Sequence, residues 1–386
     1  MSLQALSFPA VDLPPATQAL RAEVRAFLEE EREAGRFVPH CDAWVSHPSP
    51  EFSRKLGQRG WLGLMWPKVY GGHERSVLDR FVVSEEVVAA GAPVSAHWIA
   101  DRQSAPLILR YATEEQKKSI LPAIARGECY FAIGMSEPNA GSDLAGVKTR
   151  MERAGGGWVL NGAKVWSTGA HLCHYMIVLC RTSAPGEKDR HKGLSQVLVD
   201  LHRKGVTIRP IHVLSGAHHF NEVVFENVEI ADDEILGTEG QGWKQVTEEL
   251  AYERSGPERY LSTFPLIVEL ARRLERERTP HQAMLFGRLL AQFWTLRNMS
   301  LRVNGLLAAG RMPNVEASVV KDLGTRFERD SVDVVRAILP AIPSLESPDP
   351  FLARFAEAVL YSPSFTLRGG TNEILRGIIA RGLGLR

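Results

Sequence analysis

Gly157-Trp158-Val159-Leu160-Asn161-Gly162-Ala163-Lys164-Val165-Trp166-Ser167-Thr168-Gly169-Ala170 is the stretch on which the fold turns. An apolar run, Trp158 to Leu160, follows three glycines. Asn161-Gly162 is a tight-turn dipeptide, so the pattern predicts a first strand, a turn, and a second strand over Ala163 to Ser167. Side chains two apart on a strand share a face. Trp166 and Thr168 are therefore expected to present an indole and a hydroxyl to one flat ligand, although a lone strand tryptophan reads more often as core. Short β-rich segments continue at Tyr175 to Cys180, Leu194 to Asp200, Val206 to Pro210 and Val223 to Phe225. Gly, Pro, Asn or charged connectors separate them, which predicts a small β-sandwich or barrel over residues 128–236.

On either side the texture is helical. Leu20, Val24, Phe27 and Leu28 make a one-sided stripe within Ala19 to Glu33, and Leu78, Phe81 and Val82 do so within Val77 to Ala90. Thr113-Glu114-Glu115-Gln116 has the form of a capping box, and Gly127 ends the helix it opens. Helical texture resumes after Gly237-Thr238-Glu239-Gly240-Gln241-Gly242, with Pro340 to Pro350 as a connector between helices. The expected fold class is α+β: a helical domain (1–127), a β domain (128–236) and a helical bundle (237–386).

Composition narrows the function. The chain has 386 residues, 44% hydrophobic and 24% charged, with a formal net charge of +1. So balanced a charge offers no long-range pull on nucleic acid or anionic membrane. Anionic ligands must be held by local arginines and backbone amides. Cys41, Cys129, Cys173 and Cys180 form no CxxC pair and read as reduced thiols. The opening residues lack a signal-peptide pattern, and no run approaches about 18 apolar residues, so a cytoplasmic protein is expected. His171-Leu172-Cys173-His174 sits on a predicted strand, where neighbours diverge, so no metal is expected; His218-His219 reads as a loop pair. GxGxxG, Walker and GxSxG patterns are absent, removing nicotinamide, nucleotide-hydrolase and serine-esterase readings.

A second segment, Gly134-Met135-Ser136-Glu137-Pro138-Asn139-Ala140-Gly141-Ser142-Asp143, opens the β block. Pro138 and Gly141 force irregular backbone there, leaving amides and hydroxyls available to a ligand; alone it reads as a polar turn. Taken with the Trp166 segment and the order of domains, it resembles the acyl-CoA dehydrogenase family across nearly the whole chain. Gly60-Trp61-Leu62-Gly63-Leu64-Met65-Trp66-Pro67 and Arg368-Gly369-Gly370-Thr371-Asn372-Glu373-Ile374-Leu375-Arg376 extend the match. The resemblance implies a helical domain, a β domain and a four-helix bundle, with FAD as cofactor. It implies that Met135 and Ser136 contact the flavin pyrimidine, that Trp166 packs beside the ring, and that Thr168 bonds near N5. Thr371 and Glu373 belong to the cofactor-binding terminal motif, while Ser142 and Arg254 fall on the substrate side.

The chemistry of such enzymes needs a carboxylate on the acyl face away from the flavin. Many members carry it two residues before the terminal threonine, where this chain has Gly369. Isovaleryl- and long-chain-type members place it on the helix after the β domain, and Glu253-Arg254 stands there. A glutamate at one location paired with glycine at the other assigns the base to Glu253. Pro257 lacks an N–H, so the Glu253 carbonyl loses its i+4 partner and the helix should loosen there. Burial would raise the Glu253 pKa toward the working range, and Glu249 one turn earlier would add repulsion. Without the family, Glu253-Arg254 reads equally as a solvated pair. Thr371 is a plausible N-cap of a helix over Asn372 to Ala380. By resemblance, the Gly369 N–H binds the thioester carbonyl, a contribution of about 3 kcal/mol for an oriented donor.

The family's Arg-x-x-Phe-Gly and Gln-x-x-Gly-Gly segments, which hold the FAD adenine end across subunits, have no match at Arg276 to Met284 or between Pro340 and Ser364. Phe286-Gly287 falls in what reads as a different helix. The pattern resembles heteromeric bacterial members, including those that shorten steroid side chains, so a homo- or hetero-tetramer is expected, with an electron-transfer flavoprotein as electron acceptor. A flavin monooxygenase on the same scaffold and a non-catalytic partner subunit stay open beside it.

Overall fold

The computed structural model describes residues 6–186 and 189–385, with backbone only for residues 248–253. Two compact units interleave along the chain: residues 1–47, 75–93 and 253–386 form one, and residues 48–74 and 94–252 the other.

The second unit carries the strands: β1 Phe131–Gly134, β2 Arg150–Ala154, β3 Gly157–Thr168, β4 Tyr175–Arg181, β5 Leu194–Asp200, β6 Val206–His212 and β7 His218–Ile230. They form one sheet of order β1-β4-β2-β3-β7-β6, with β5 also on β4. β2 meets β4 only at Arg150–Arg181, so the sheet opens into two wings. Apolar side chains of both wings face each other: Met176, Val178, Val197 and Val199 from one, Trp158, Leu160, Val223 and Phe225 from the other. The wings thus pack as a small sandwich. The outer side of β1, β4 and β5 is covered by helices. Leu107 and Ile108 from Ala105–Tyr111, with Ile120, Leu121 and Ile124 from Glu114–Ala125, pack on Phe131, Ile177 and Leu198. The second of these helices starts in the expected capping box, with Thr113 Oγ1 accepting from Gln116 N at 3.2 Å and Gln116 Oε1 from Thr113 N at 3.0 Å.

The other unit is helical. Phe264–Arg276, Pro280–Ala308, Asn314–Ile338 and Pro350–Phe365 make a four-helix bundle around Leu266, Leu270, Val332, Val335, Phe351 and Phe355. Phe286-Gly287 lies on Pro280–Ala308, the helix after Arg276, as expected. The N-terminal helices Pro15–Glu33 and Val77–Ala89 belong to this unit, joined by ion pairs of Arg21 with Glu85 (2.8 Å) and Arg25 with Glu86 (2.7 Å). Arg297 of the bundle also reaches Glu85, at 2.8 Å.

Three local expectations are corrected. Asn161-Gly162 is not a turn: β3 is continuous, and the hairpin closes at Gly155-Gly156, both at positive φ, between the paired residues Ala154 and Gly157. The dipeptide instead lies opposite a bulge in β7, which carries one residue more than β3 between the pairs Leu160–Val228 and Gly162–Phe225. Asn161 Oδ1 accepts from Asn227 N at 2.9 Å, and a Cβ at Gly162 would lie 2.4 Å from Thr149 Oγ1. His218-His219 are not a loop pair but the first residues of β7. Ala170–Leu172 is a 3-10 turn after Gly169 (φ 64°), so His171 to His174 lie off the strand.

Candidate active site

The first group of expected residues sits on the sheet unit, built around a bulge in β3 itself. Lys164 pairs with Val223 and Ser167 with Asn221, so β3 carries one residue more than β7 over this interval. The backbone of Trp166 accommodates it at φ 60°, a left-handed conformation costly for a bulky side chain. Ser167 turns inward and is buried, while Trp166 points out and stays 58% exposed, touched edge-on by Phe220 at 6.0 Å. A strained backbone that presents a large aromatic face to solvent is a functional signature, since packing does not require it. The indole is therefore not core, and Thr168 stands half-buried beyond it on the same strand.

The bulge also reaches the segment after β1. Val165 N donates to Ser136 O at 2.9 Å, which sets Met135 and Ser136 alongside Trp166. Lys164, fully buried, donates to Met135 O at 3.0 Å and to Glu137 Oε1 at 2.8 Å. Glu137 further accepts from Lys148 N (2.6 Å) and Thr149 N (2.9 Å). Burial acts to raise the Glu137 carboxyl, but Lys164 and these amides carry it below its usual value. Burial lowers the Lys164 ammonium, with Glu137 opposing. The short contact and full set of donors identify a charged pair. It fixes one side of the Met135–Ser136 backbone and leaves the other open: the N–H groups of both residues make no hydrogen bond among the described residues. Ser142 is exposed further along, next to Asp143, whose carboxylate pairs with Arg190 at 2.8 Å.

This arrangement fits a flavin. A flat aromatic wall, two free amide donors and a hydroxyl suit a planar ring with acceptor atoms along one edge.

The second group lies on the helical unit. After Pro350–Phe365 the chain turns through Gly369 (φ 65°) and Gly370 (φ 86°) into the helix Asn372–Gly382. Thr371 is its N-cap, accepting from Ile374 N at 3.4 Å, and Leu375 N donates to Thr371 O at 3.0 Å. The Gly369 and Gly370 N–H groups form no hydrogen bond among the described residues, so two free donors sit at the positive end of a helix. Glu373 is exposed, its carboxyl lowered by its own backbone N–H and then by Thr371.

The turn is held from behind. Lys321, fully buried, donates to Gly370 O. Arg368 Nη1 reaches both Asp42 oxygens at 2.7 Å, and Nη2 reaches Ser262 Oγ at 2.9 Å. Burial pushes Asp42 up against the pull of Arg368. Burial likewise pushes Glu328, which accepts from Ser262 N at 2.7 Å, up to about 7.

Of the remaining expected residues, Arg254 is half-buried just after the helix Gly242–Glu253, which does end where Pro257 was expected to loosen it. The side chains of Glu253 and Glu249 lie outside the described residues. Sequence reasoning missed Lys164, Arg259 and the Asp42–Arg368 pair. Lys164 carried a usable signal, because it falls on the same strand face as Leu160, where a charge must have a buried partner. Asp42 carried none: it is 326 positions from Arg368.

Comparison with known proteins gives three domain matches in order. Residues 14–128 match the family model "Acyl-CoA dehydrogenase, N-terminal domain", 132–228 the middle domain and 240–384 the C-terminal domain. The chain is 33% identical over 386 residues to "Acyl-CoA dehydrogenase IpdE1" of Mycobacterium tuberculosis, covering 95% of this chain and 97% of that protein. It is 28% identical to the mitochondrial long-chain specific acyl-CoA dehydrogenase of Mus musculus, covering 94% and 85%. Among solved structures, the "Tcur3481-Tcur3483 steroid ACAD" superposes with a TM-score of 0.85 at 29% identity, over 98% of this chain and all of that one. The ChsE4-ChsE5 complex of Mycobacterium tuberculosis gives 0.83 at 29%, over 98% and 100%.

Proposed function

The chain belongs to the acyl-CoA dehydrogenase family, and on that premise we propose that it binds FAD and converts an acyl-CoA to its α,β-unsaturated thioester. FAD, when bound, supplies the two-electron acceptor for the hydrogen leaving the β-carbon. The Glu253 carboxylate takes the α-proton. The Gly369 N–H donates to the thioester carbonyl oxygen and stabilises the negative charge that grows there as the proton leaves. The Met135 and Ser136 amides and the Thr168 hydroxyl hold the edge of the ring, Trp166 walls it, and Thr371 and Glu373 complete its setting. Ser142 and Arg254 serve the coenzyme A arm.

The observation that carries this reading is the Trp166 bulge: a strained, outward indole beside unpaired amides is hard to account for without a flat ligand. The relatives named as two-component complexes favour a hetero-oligomer in which a companion supplies the FAD adenine contacts, and the one named for steroids favours a bulky acyl group. An electron-transfer flavoprotein as acceptor and a cytoplasmic location complete the proposal.

Anaerobic mixing of the FAD-loaded protein with acyl-CoAs, including branched and steroid-derived thioesters, tests it. The flavin's visible band should bleach with at least one thioester, and Glu253→Gln should slow that bleaching by about 100-fold or more. Bleaching that survives Glu253→Gln would remove Glu253 from its role. Oxygen consumption with an external reductant and no bleaching would favour the monooxygenase alternative.

A further inference from the structure

We infer that Arg259 is a positioning residue for the Gly369 amide: its guanidinium backs the turn Arg368–Gly370, keeps residue 369 free of a side chain, and places fixed positive charge beside the N–H assigned to the thioester oxygen. The inference deepens the dehydrogenase reading above and rests on it.

The geometry is specific. A Cβ built on Gly369 would lie 3.1 Å from Arg259 Nη2 and 3.4 Å from both Cζ and Nη1. Three nearly equal distances mean that the Cβ position faces the guanidinium plane, so a side chain at 369, already disfavoured by φ 65°, would also have to push Arg259 back by a few tenths of an ångström. Arg259 is 1% exposed, and its position is fixed at both ends. Its backbone closes the 3-10 turn Pro257–Arg259, with Arg259 N donating to Gly256 O at 3.1 Å. Gly324 of the helix Asn314–Ile338 packs so tightly on it that a Cβ there would come within 2.3 Å of Arg259 O. At the tip, the guanidinium shares the Trp44 indole with Arg368, at 5.4 and 4.5 Å from the ring centre.

Arginine keeps its charge under all working conditions, and a charge held in a water-poor site acts more strongly than in water. The substrate carbonyl gains negative charge only as the α-proton leaves. A cation behind the donor amide therefore favours that state over the bound thioester, which affects kcat more than KM. A carboxylate at residue 369 would pair with the same cation and become a poor base.

The test uses Arg259→Met and Arg259→Lys in the FAD-loaded protein, with its companion if required for loading. Turnover per bound flavin should fall about 100-fold in Arg259→Met with KM nearly unchanged, and Arg259→Lys should recover about tenfold. A bound 3-thia-acyl-CoA, whose α-proton is acidic enough to titrate, should ionise at higher pH in Arg259→Met, read from its long-wavelength band with the flavin. Turnover and titration within twofold of the parent would overturn the electrostatic role. Gly369→Ala made in the parent and in Arg259→Ser reads the contact without activity: melting temperature should fall more in the parent, and equal falls would overturn the packing. A parent that bleaches with no thioester overturns the dehydrogenase reading and the electrostatic role with it, while the melting cycle still decides the contact.

Discussion

Lys164 shows how a residue with no direct ligand role can set a site. Its ammonium ties Met135 O to Glu137, and Glu137 in turn fixes Lys148 and Thr149, so one buried cation holds the whole start of the segment proposed to bind the flavin ring. Lys164→Met leaves the buried Glu137 carboxylate without its counter-charge, held only by the Lys148 and Thr149 amides, a loss of about 3 kcal/mol in urea unfolding. The double change with Glu137→Gln should regain part of it but not FAD affinity, because Met135 O still lacks its donor. Glu328 offers a pH readout. Its folded value of about 7 lies above the ordinary 4.5. The stability it contributes is complete below about 4.5 and is lost as pH rises through about 7. Glu328→Gln should flatten thermal stability across that window and gain on the order of 2 to 3 kcal/mol at pH 8. At this scale the motif residues were legible because each stands in a short local pattern. The cations behind them were not, because burial of Lys164, Lys321 and Arg259 and the pairing of Arg368 depend on partners brought in by tertiary packing.

Strand boundaries were readable from β-rich runs, yet Asn161-Gly162 shows where element-level signals fail. Asn-Gly favours a hairpin turn, but a strand glycine serves equally where another backbone approaches closely. Pairing with β7 decided between them: Asn227 N bonds to Asn161 Oδ1, and β3 runs on past the bulge to Thr168. The two kinds of glycine should respond differently to alanine. Gly162 (φ 148°) abuts Thr149, with its Oγ1 at 2.4 Å and Cα at 2.7 Å from a Cβ position, whereas Gly156 (φ 88°) has nothing within 4 Å. Gly156→Ala should cost about 1 kcal/mol from backbone conformation alone. Gly162→Ala should cost about 3 kcal/mol, since it must also move β2's neighbouring backbone. Melting of the two variants checks the order, and equal losses would mean that the Thr149 backbone relaxes freely.

At the scale of the molecule, the sequence read correctly as helical, then β, then helical, but texture does not say which helices pack together. Residues 94–127 read as part of a helical block, yet Leu107, Ile108 and Leu121 pack on β4 and β5. Residues 75–93 instead join the bundle unit, where Val82 and Phe81 meet Leu301. A one-sided stripe announces that a face is buried without naming its partner. One such face is still uncovered in the single chain. On Pro280–Ala308, Met284, Gly287, Leu290, Ala291 and Trp294 fall on one side at helical spacing and are exposed, Trp294 by 61%. A contiguous apolar face of this kind on a bundle helix marks an association surface. Sedimentation of the purified protein, with its companion where one is needed, should give a mass well above the 42.8 kDa of one chain. Trp294→Glu, which puts a charge into that face, should shift the mass toward the single chain and lower bound FAD in parallel. A parent that already sediments as one chain, or a variant unchanged in both mass and flavin content, would overturn this face as the association surface.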